Sequence, residues 1–387
     1  MSIRFEYPSI KPALRARCLL SSSVEEAHRS AIAAARCGST SDKWTVVLPE
    51  DLIFDRSGLE LIAARLVKYS GGAQSLSFVL TTDEACWRDY YTLQDPKLTQ
   101  EQRLRLGVVA TRDSGAGEDS LEIALSTLKF PVPFPTSFLP PCEVAVPKAL
   151  LMRHHCPHDM LLANWIAFGV ELQSKVRASP WTWIKGLFSR RRGFTLPQRM
   201  AYSFSSVHPT ASVHPTAVIE GSIVGAGARI GAQTVIRYSV IGENTRIHDG
   251  AKVELSVLGN NSWLMHDLVL YRSATESDVF LIHGPYQFSY FQRGSSAFAT
   301  IMMDWRPDDK PIRVMTCSGL LPYGGPLLGA VLEEGAKTLG GSLLAPGRVV
   351  PKDCWLGPEP SSIHTPAGGK LDTSRPLSPE ESKKVDS

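Results

Sequence analysis

The chain has 387 residues, 43% hydrophobic and 20% charged, with a formal net charge of +3. That length allows two domains with separate cores, and so small a charge, without a basic stripe carrying interleaved aromatics, gives nucleic acid no footing. No apolar run reaches the ~18 residues of a membrane span. Seven scattered cysteines with no C-x-x-C pair argue against a disulfide framework or a zinc ribbon and suit a reducing cytoplasm. Leu14 to Leu20 is broken by Arg15 and Arg17 and makes no signal-peptide core. A soluble cytoplasmic protein is expected.

Residues 1–178 predict an α/β domain. Ser23 with Glu26 forms a capping box for a helix running to about Cys37. Trp44 to Leu48 predicts a buried strand, and Ser57 with Glu60 caps a second helix through Leu61, Leu66 and Val67. Leu76 to Leu80 and Gly107 to Thr111 predict further strands of a partly parallel sheet. The proline-rich stretch Phe130 to Pro141 runs extended, Val144 to Val146 is a short strand, and Asp159 caps a helix with Leu161, Trp165, Phe168, Leu172 and Val176 on one face. Residues 179–204 form a linker helix. Within it, Pro180 to Phe194 joins Trp181, Trp183 and Phe188 to Arg190, Arg191 and Arg192. Packing between domains explains that composition more simply than peripheral contact with an anionic membrane.

A phrase then repeats at seventeen residues: Ser222-Ile223-Val224-Gly225, Ser239-Val240-Ile241-Gly242 and Ser256-Val257-Leu258-Gly259. Between its copies the aliphatics step by six, six and five: Val224, Ile230, Ile236, then Ile241, Ile247, Val253, then Leu258, Leu264, Leu270. No α-helix has that period; a three-sided coil does, each side a short strand with one aliphatic turned inward. The coil spans 205–357, with Leu320, Leu332, Leu344, Val350 and Leu356 in its closing frame and an irregular insertion expected over 271–317. From 358 to 387, proline, serine and charge predict a disordered tail. A coil filled with side chains leaves ligands only its outer faces, its loops or a subunit boundary.

These repeats resemble the left-handed parallel β-helix of the hexapeptide-repeat superfamily. The seventeen-residue phrase is most similar to the C-terminal domains of sugar-nucleotide pyrophosphorylases, and Gly335 to Pro351 resembles the last coils of hexapeptide acetyltransferases. The resemblance implies a nucleotidyltransferase-like domain before the helix, and Val46 to Asp51 resembles the strand that carries the metal-binding aspartate there. Residues 1–40, however, hold no glycine before Gly38, so the glycine-rich loop that cradles the triphosphate is missing. A degenerate N-terminal domain is expected, one that makes no sugar nucleotide.

Stepping by the coil length stacks Asp249, His266 and His283. The resemblance to hexapeptide acyltransferases implies one histidine acting as general base on an acceptor hydroxyl or amine, with acyl-CoA as co-substrate in a groove between subunits of a trimer. A neighbouring carboxylate would orient the imidazole. The insertion is expected to supply substrate contacts, namely Tyr286, Gln287, Tyr290, Gln292 and Arg293, and to cover the histidines. Glu220, Arg237 and Glu254, also seventeen apart, read as a structural charge ladder. His154, His155 and His158 do not converge on a metal, and no metal site is expected. Arg348 and Lys337 could meet a CoA phosphate, although turn cations are ordinarily solvated. Two function classes follow: a transferase acting on a sugar or sugar nucleotide, and a non-catalytic scaffold or sugar- and nucleotide-binding regulator. The stacked histidines favour the first.

Overall fold

The computed structural model describes residues 3–6, 18–20, 22–35, 43–94, 103–132, 142–178, 184, 202–308, 310–316 and 319–358. The linker helix expected over 179–204 lies almost wholly outside them, and so does the tail beyond 358.

In the N-terminal region five strands form one sheet, in the order Ile3–Glu6, Trp44–Val47, Arg103–Thr111, Ser75–Thr81, Glu118–Ala124. The outer pairs are parallel, while Arg103–Thr111 runs antiparallel to both its neighbours. That strand alternates exposed and buried at every residue, so one sheet face is wet and Leu104, Leu106, Val108 and Ala110 turn to the core. Helices α1 (Val24–Ala34), α2 (Arg56–Lys68) and α3 (His158–Ala178) contribute to the same core. The capping box at Ser23 forms as its sequence predicts. Helix α2, by contrast, starts from Asp55 and not from Ser57. The Asp55 carboxylate accepts the amides of Gly58 (2.8 Å) and Leu150 (3.0 Å), tying helix start to the chain beside it, which Ser57 is not placed to do.

From Ser206 to Leu356 the chain is the left-handed parallel β-helix expected. The first face runs from Ser206–Val207 to Val349–Val350 and the second from Ser212–Val213 to Trp355–Leu356, eight strands each. The third runs from Val218–Glu220 to Tyr286–Gln287 in five strands. Ile223 pairs with Val240 and Val240 with Val257, a seventeen-residue register shared by the other faces. Inside, Ile230, Ile236, Ile241, Ile247, Val253 and Leu258 belong to one closed column.

The recurring serine has a physical cause. Ser239 Oγ donates to the Arg237 carbonyl at 2.7 Å and accepts the Ser256 amide of the next coil at 3.1 Å. Ser222, Ser256 and Ser273 repeat this, and the Ala330 amide ends the column on Ser289 Oγ. The glycine closing the phrase is required by proximity. A Cβ on Gly259 would stand 2.3 Å from the Glu276 carbonyl carbon of the coil above, and Gly242 is crowded likewise at 2.6 Å. Arg237 bridges Glu220 (2.9 Å) and Glu254 (3.2 Å), the ladder read from spacing.

The interruption is later and shorter than 271–317. Coiling persists through Ala274–Thr275, Phe280–Ile282, Tyr286–Gln287, Tyr290–Phe291, Ser296–Phe298 and Ile301–Met302. One residue is lost at the corner His283-Gly284-Pro285, so that Leu270 pairs with Tyr286 and Ala274 with Tyr290. Thr275, Tyr286, Phe291 and Ala297 occupy buried sites that aliphatics hold elsewhere, which blurs the pattern but not the coil. Only after Met302 does the chain leave, forming the hairpin Arg313–Thr316/Gly319–Pro322 and re-entering where Val331 pairs with Tyr290. Leu320, expected inside, lies exposed on that hairpin.

The first face is not free. Val240, Val257, Ala274, Tyr290 and Val331 belong to the N-terminal core. From α3, Trp165 donates its indole N–H to the Arg272 carbonyl at 3.0 Å, and the Arg272 guanidinium lies over the rings of Trp165 (4.7 Å) and Phe288 (5.3 Å). Beneath the hairpin, Tyr323 donates to the Asp89 carbonyl at 2.8 Å.

Two predictions follow from this packing. Gly259→Ala should destabilise the helix by about 2–3 kcal/mol, because backbone must move to admit the methyl. Gly294→Ala meets nothing within 4 Å and bears only its φ of +68°, which costs about 1 kcal/mol. Urea titration of both variants tests the ranking; equal losses would contradict the crowding argument. The second concerns pH. His28 accepts the Phe54 amide (3.3 Å), and His158 is fully buried against the Gly329 backbone. Burial lowers their pKa values to about 3 and about 4 from 6.5. Below pH 6.5 the unfolded chain therefore binds protons that the fold refuses. Taken alone, each histidine withdraws about 3 kcal/mol between pH 6.5 and 4. Burial raises Asp55 to about 6 and Asp159 to about 7, so these carboxyls take up protons in the fold and oppose that loss over the same window. The difference between wild type and His28→Leu isolates the histidine: on going from pH 7.5 to 4, urea midpoints should fall less, or rise more, in the variant than in wild type.

Candidate functional site

Coil stacking decides which groups are presented outward. On the second face the outward position beside each inward aliphatic carries Arg229, Arg246, Trp263 and Phe280 in succession. Trp263 is 39% exposed, with Arg246 over its ring at 4.4 Å and Phe280 edge-on at 6.4 Å. Phe298 continues the aromatic row beyond Phe280 at 5.7 Å. A run of ring faces flanked by a guanidinium, on a rigid sheet, suits a planar or sugar-like molecule with an anionic end.

At the corner leaving this face stand His248 and His266, their ring centroids 4.8 Å apart and edge-to-face. His248 also leans toward Trp263 at 6.3 Å. His266 is exposed, whereas His248 is half-buried and its Nε2 is shielded without a hydrogen-bond partner among the described residues. The sheet places the two on successive rungs: Ile247, the residue before His248, pairs with Leu264, two before His266.

The expected column is only partly assembled. Asp249 is no orienting partner, since its Oδ1 accepts the Ala232 amide at 2.7 Å and braces the coil below. Among the described residues no hydrogen bond joins it to His266. His283 follows the next strand of the same face, but its corner differs. After Leu264 the left-handed residue is Asp267 (φ 56°); after Ile282 it is His283 itself (φ 48°), because that coil is one residue short. The sequence count carries His283 above His266, while the backbone turns the corner another way.

The expected substrate contacts are corrected more sharply. Tyr286 is fully buried and donates to the Ile282 carbonyl at 2.8 Å. Tyr290 is fully buried and donates to Glu276 Oε1 at 2.5 Å. Gln292 is buried and accepts the Glu334 amide at 3.1 Å, and the Arg293 guanidinium pairs with Glu334 at 2.9 Å. Gln287 is half-buried in the last strand of the third face. These groups bind the coils to each other because 271–302 is itself coil, and no loop over those residues covers the histidines. The aromatic row was legible: stepping seventeen from Arg229 reaches Arg246, Trp263 and Phe280.

In the N-terminal domain, Asp51, on the segment likened to a metal-binding strand, is held by Arg153 at 2.6 Å. Among the described residues no group of His, Cys, Asp and Glu could hold a metal ion. Among the described residues no helix is long and apolar enough to cross a membrane.

No family model and no curated protein matches this sequence. Solved structures do. A hexapeptide transferase family protein from Anaplasma phagocytophilum is 22% identical over 47% of this chain and 87% of its own, with a TM-score of 0.24. A UDP-N-acetylglucosamine acyltransferase from Francisella novicida is 14% identical over 48% and 76%, TM-score 0.24. The acetyltransferase domain of PglB from Neisseria gonorrhoeae, in complex with acetyl coenzyme A, is 19% identical over 43% and 54%, TM-score 0.15. At such scores the likeness carries no functional argument, and the β-helix itself is established by the strand register.

The reassignment of Tyr290 is testable. Tyr290→Phe should cost about 2 kcal/mol of stability, since the buried Glu276 carboxylate loses a hydroxyl donor. Affinity for any ligand of the second face should stay unchanged; weakened binding at wild-type stability would return Tyr290 to the site.

Proposed function

We propose that the chain is an acyltransferase whose acceptor is a hydroxyl or amine of a sugar or sugar nucleotide, with His266 as general base. The observation that supports this reading is the His248–His266 pair, 4.8 Å between ring centroids, at the corner of an outward face bearing Trp263, Phe280 and Arg246. The exposed imidazole of His266 takes the acceptor's proton as its oxygen or nitrogen attacks the thioester carbonyl carbon of acyl-CoA. The tetrahedral adduct collapses, the C–S bond breaks, and the thiolate leaves with the proton returned by the imidazolium. His248, against the His266 edge, acts as a positioning residue. Trp263 and Phe280 offer ring faces to a sugar, and Arg246 an anion contact.

Replacing His266 by Ala should lower thiol release from acetyl-CoA, in the presence of responsive sugar nucleotides, by at least about a hundredfold. The melting temperature should stay within a few degrees, as befits an exposed side chain. His248→Ala should lower kcat less and leave KM for acetyl-CoA unchanged. His283→Ala should retain most activity. Full activity in His266→Ala would eliminate the proposal, and dependence on His283 alone would move the base there.

A further inference from the structure

The excursion between Met302 and Val331 borders a concavity whose lining includes neither His248 nor His266. The first hairpin strand runs against the corner Pro346-Gly347-Arg348, so closely that a Cβ on Gly347 would lie 2.8 Å from Ile312 and 3.1 Å from the Arg313 carbonyl. Hairpin residues alternate: Ile312, Val314 and Leu321 turn to the core, leaving Arg313, Leu320 and Pro322 outward. Between that outer surface and the corner lies a groove of about 570 Å³, lined by Arg306, Lys310, Arg313 and Arg348 with Pro311, Pro322 and Leu320.

Among the described residues its charge is unbalanced. Asp308 accepts from Arg306 (2.8 Å) and lies 3.9 Å from Lys310, so one carboxylate faces two cations. The Arg306 guanidinium holds Asp308 down to about 2, so it remains ionised. Arg313 and Arg348 have no ion-pair partner among the described residues. Four cations facing one carboxylate among the described residues repel one another, and a bound anion would relieve that. Guanidinium forks suit phosphate oxygens, while two prolines and a leucine form an apolar wall where a base can lie. The volume falls within the ~300–1,000 Å³ of small-molecule sites.

We infer that this groove binds a nucleoside diphosphate, its phosphates on Arg313 and Arg348 and its base against Leu320, Pro311 and Pro322. The site does not depend on His266 acting as a base. The same chemistry occurs in the nucleotide portion of CoA and in a sugar nucleotide, so the experiment must separate them. Calorimetric titration of the full chain with ADP, UDP, CoA, a UDP-sugar and pyrophosphate would do so. ADP or UDP should bind, and Arg313→Glu/Arg348→Glu should weaken binding by about tenfold or more. The charge control Arg229→Glu, on the second face, should not change it. Both groove arginines are exposed, so melting should be preserved; if the double variant is destabilised, Arg348→Ala serves instead. Tighter binding of CoA than ADP would support an acyl donor as occupant, and tighter binding of the UDP-sugar an acceptor. Absence of ADP and UDP binding at millimolar concentration, or unchanged affinity in the arginine variants, would overturn the site. Pyrophosphate binding as tightly as ADP and UDP would remove the base from it.

Discussion

The structure depends on one constraint: every coil must present its backbone to the next at a fixed offset. Two- and three-residue strands cannot stand alone, and here each is held by pairing with the coils before and after it. The serine column shows how narrow the constraint is. A Ser239 hydroxyl that must donate within its own coil and accept from the next admits few substitutes. The crowded glycine that follows admits fewer. With the interior closed by aliphatics and the stacking direction taken by the ladder, side-chain chemistry is left to outward positions and corners.

Docking of the N-terminal domain narrows this further. It covers the first face through Val240, Val257, Ala274, Tyr290 and Val331, and grips the corner at Arg272 through Trp165. The hairpin packs onto the same domain on one side and borders the groove on the other. Of the three faces, the second carries an aromatic row that is exposed at Trp263 and half-buried at Phe280 and Phe298. The histidine pair at its edge thus follows from what is already covered as much as from the histidines' own chemistry.

The coil could be read from residues because its period is strict where aliphatics fill it. Reading failed from Thr275 to Met302, where threonine, tyrosine, phenylalanine and alanine fill the same interior and one corner drops a residue. A rule that recognises only large aliphatics sees disorder there. With 271–317 read as an insertion, Tyr286, Tyr290 and Gln292 look available, although each satisfies its polar group inside the stack. The histidine step was legible as arithmetic, but not the corner geometry, since the lost residue changes which position takes the left-handed turn. In the N-terminal domain most of the expected strands and helices are present. The choice of Asp55 over Ser57 as cap was not legible, because it depends on Leu150, 95 residues away.

The excursion after Met302 leaves from one rung and returns to the next, since Val331 takes the place above Tyr290 that a residue one turn later would otherwise hold. The stack therefore counts rungs and not residues. Additions at a corner are invisible to it, since closing a longer loop adds little entropy. Deletions within a side are not, for a missing strand residue turns inward groups outward. Over evolutionary time such a molecule should vary in length by whole turns or by corner inserts, acquiring new surface chemistry at its corners while the column beneath stays unchanged.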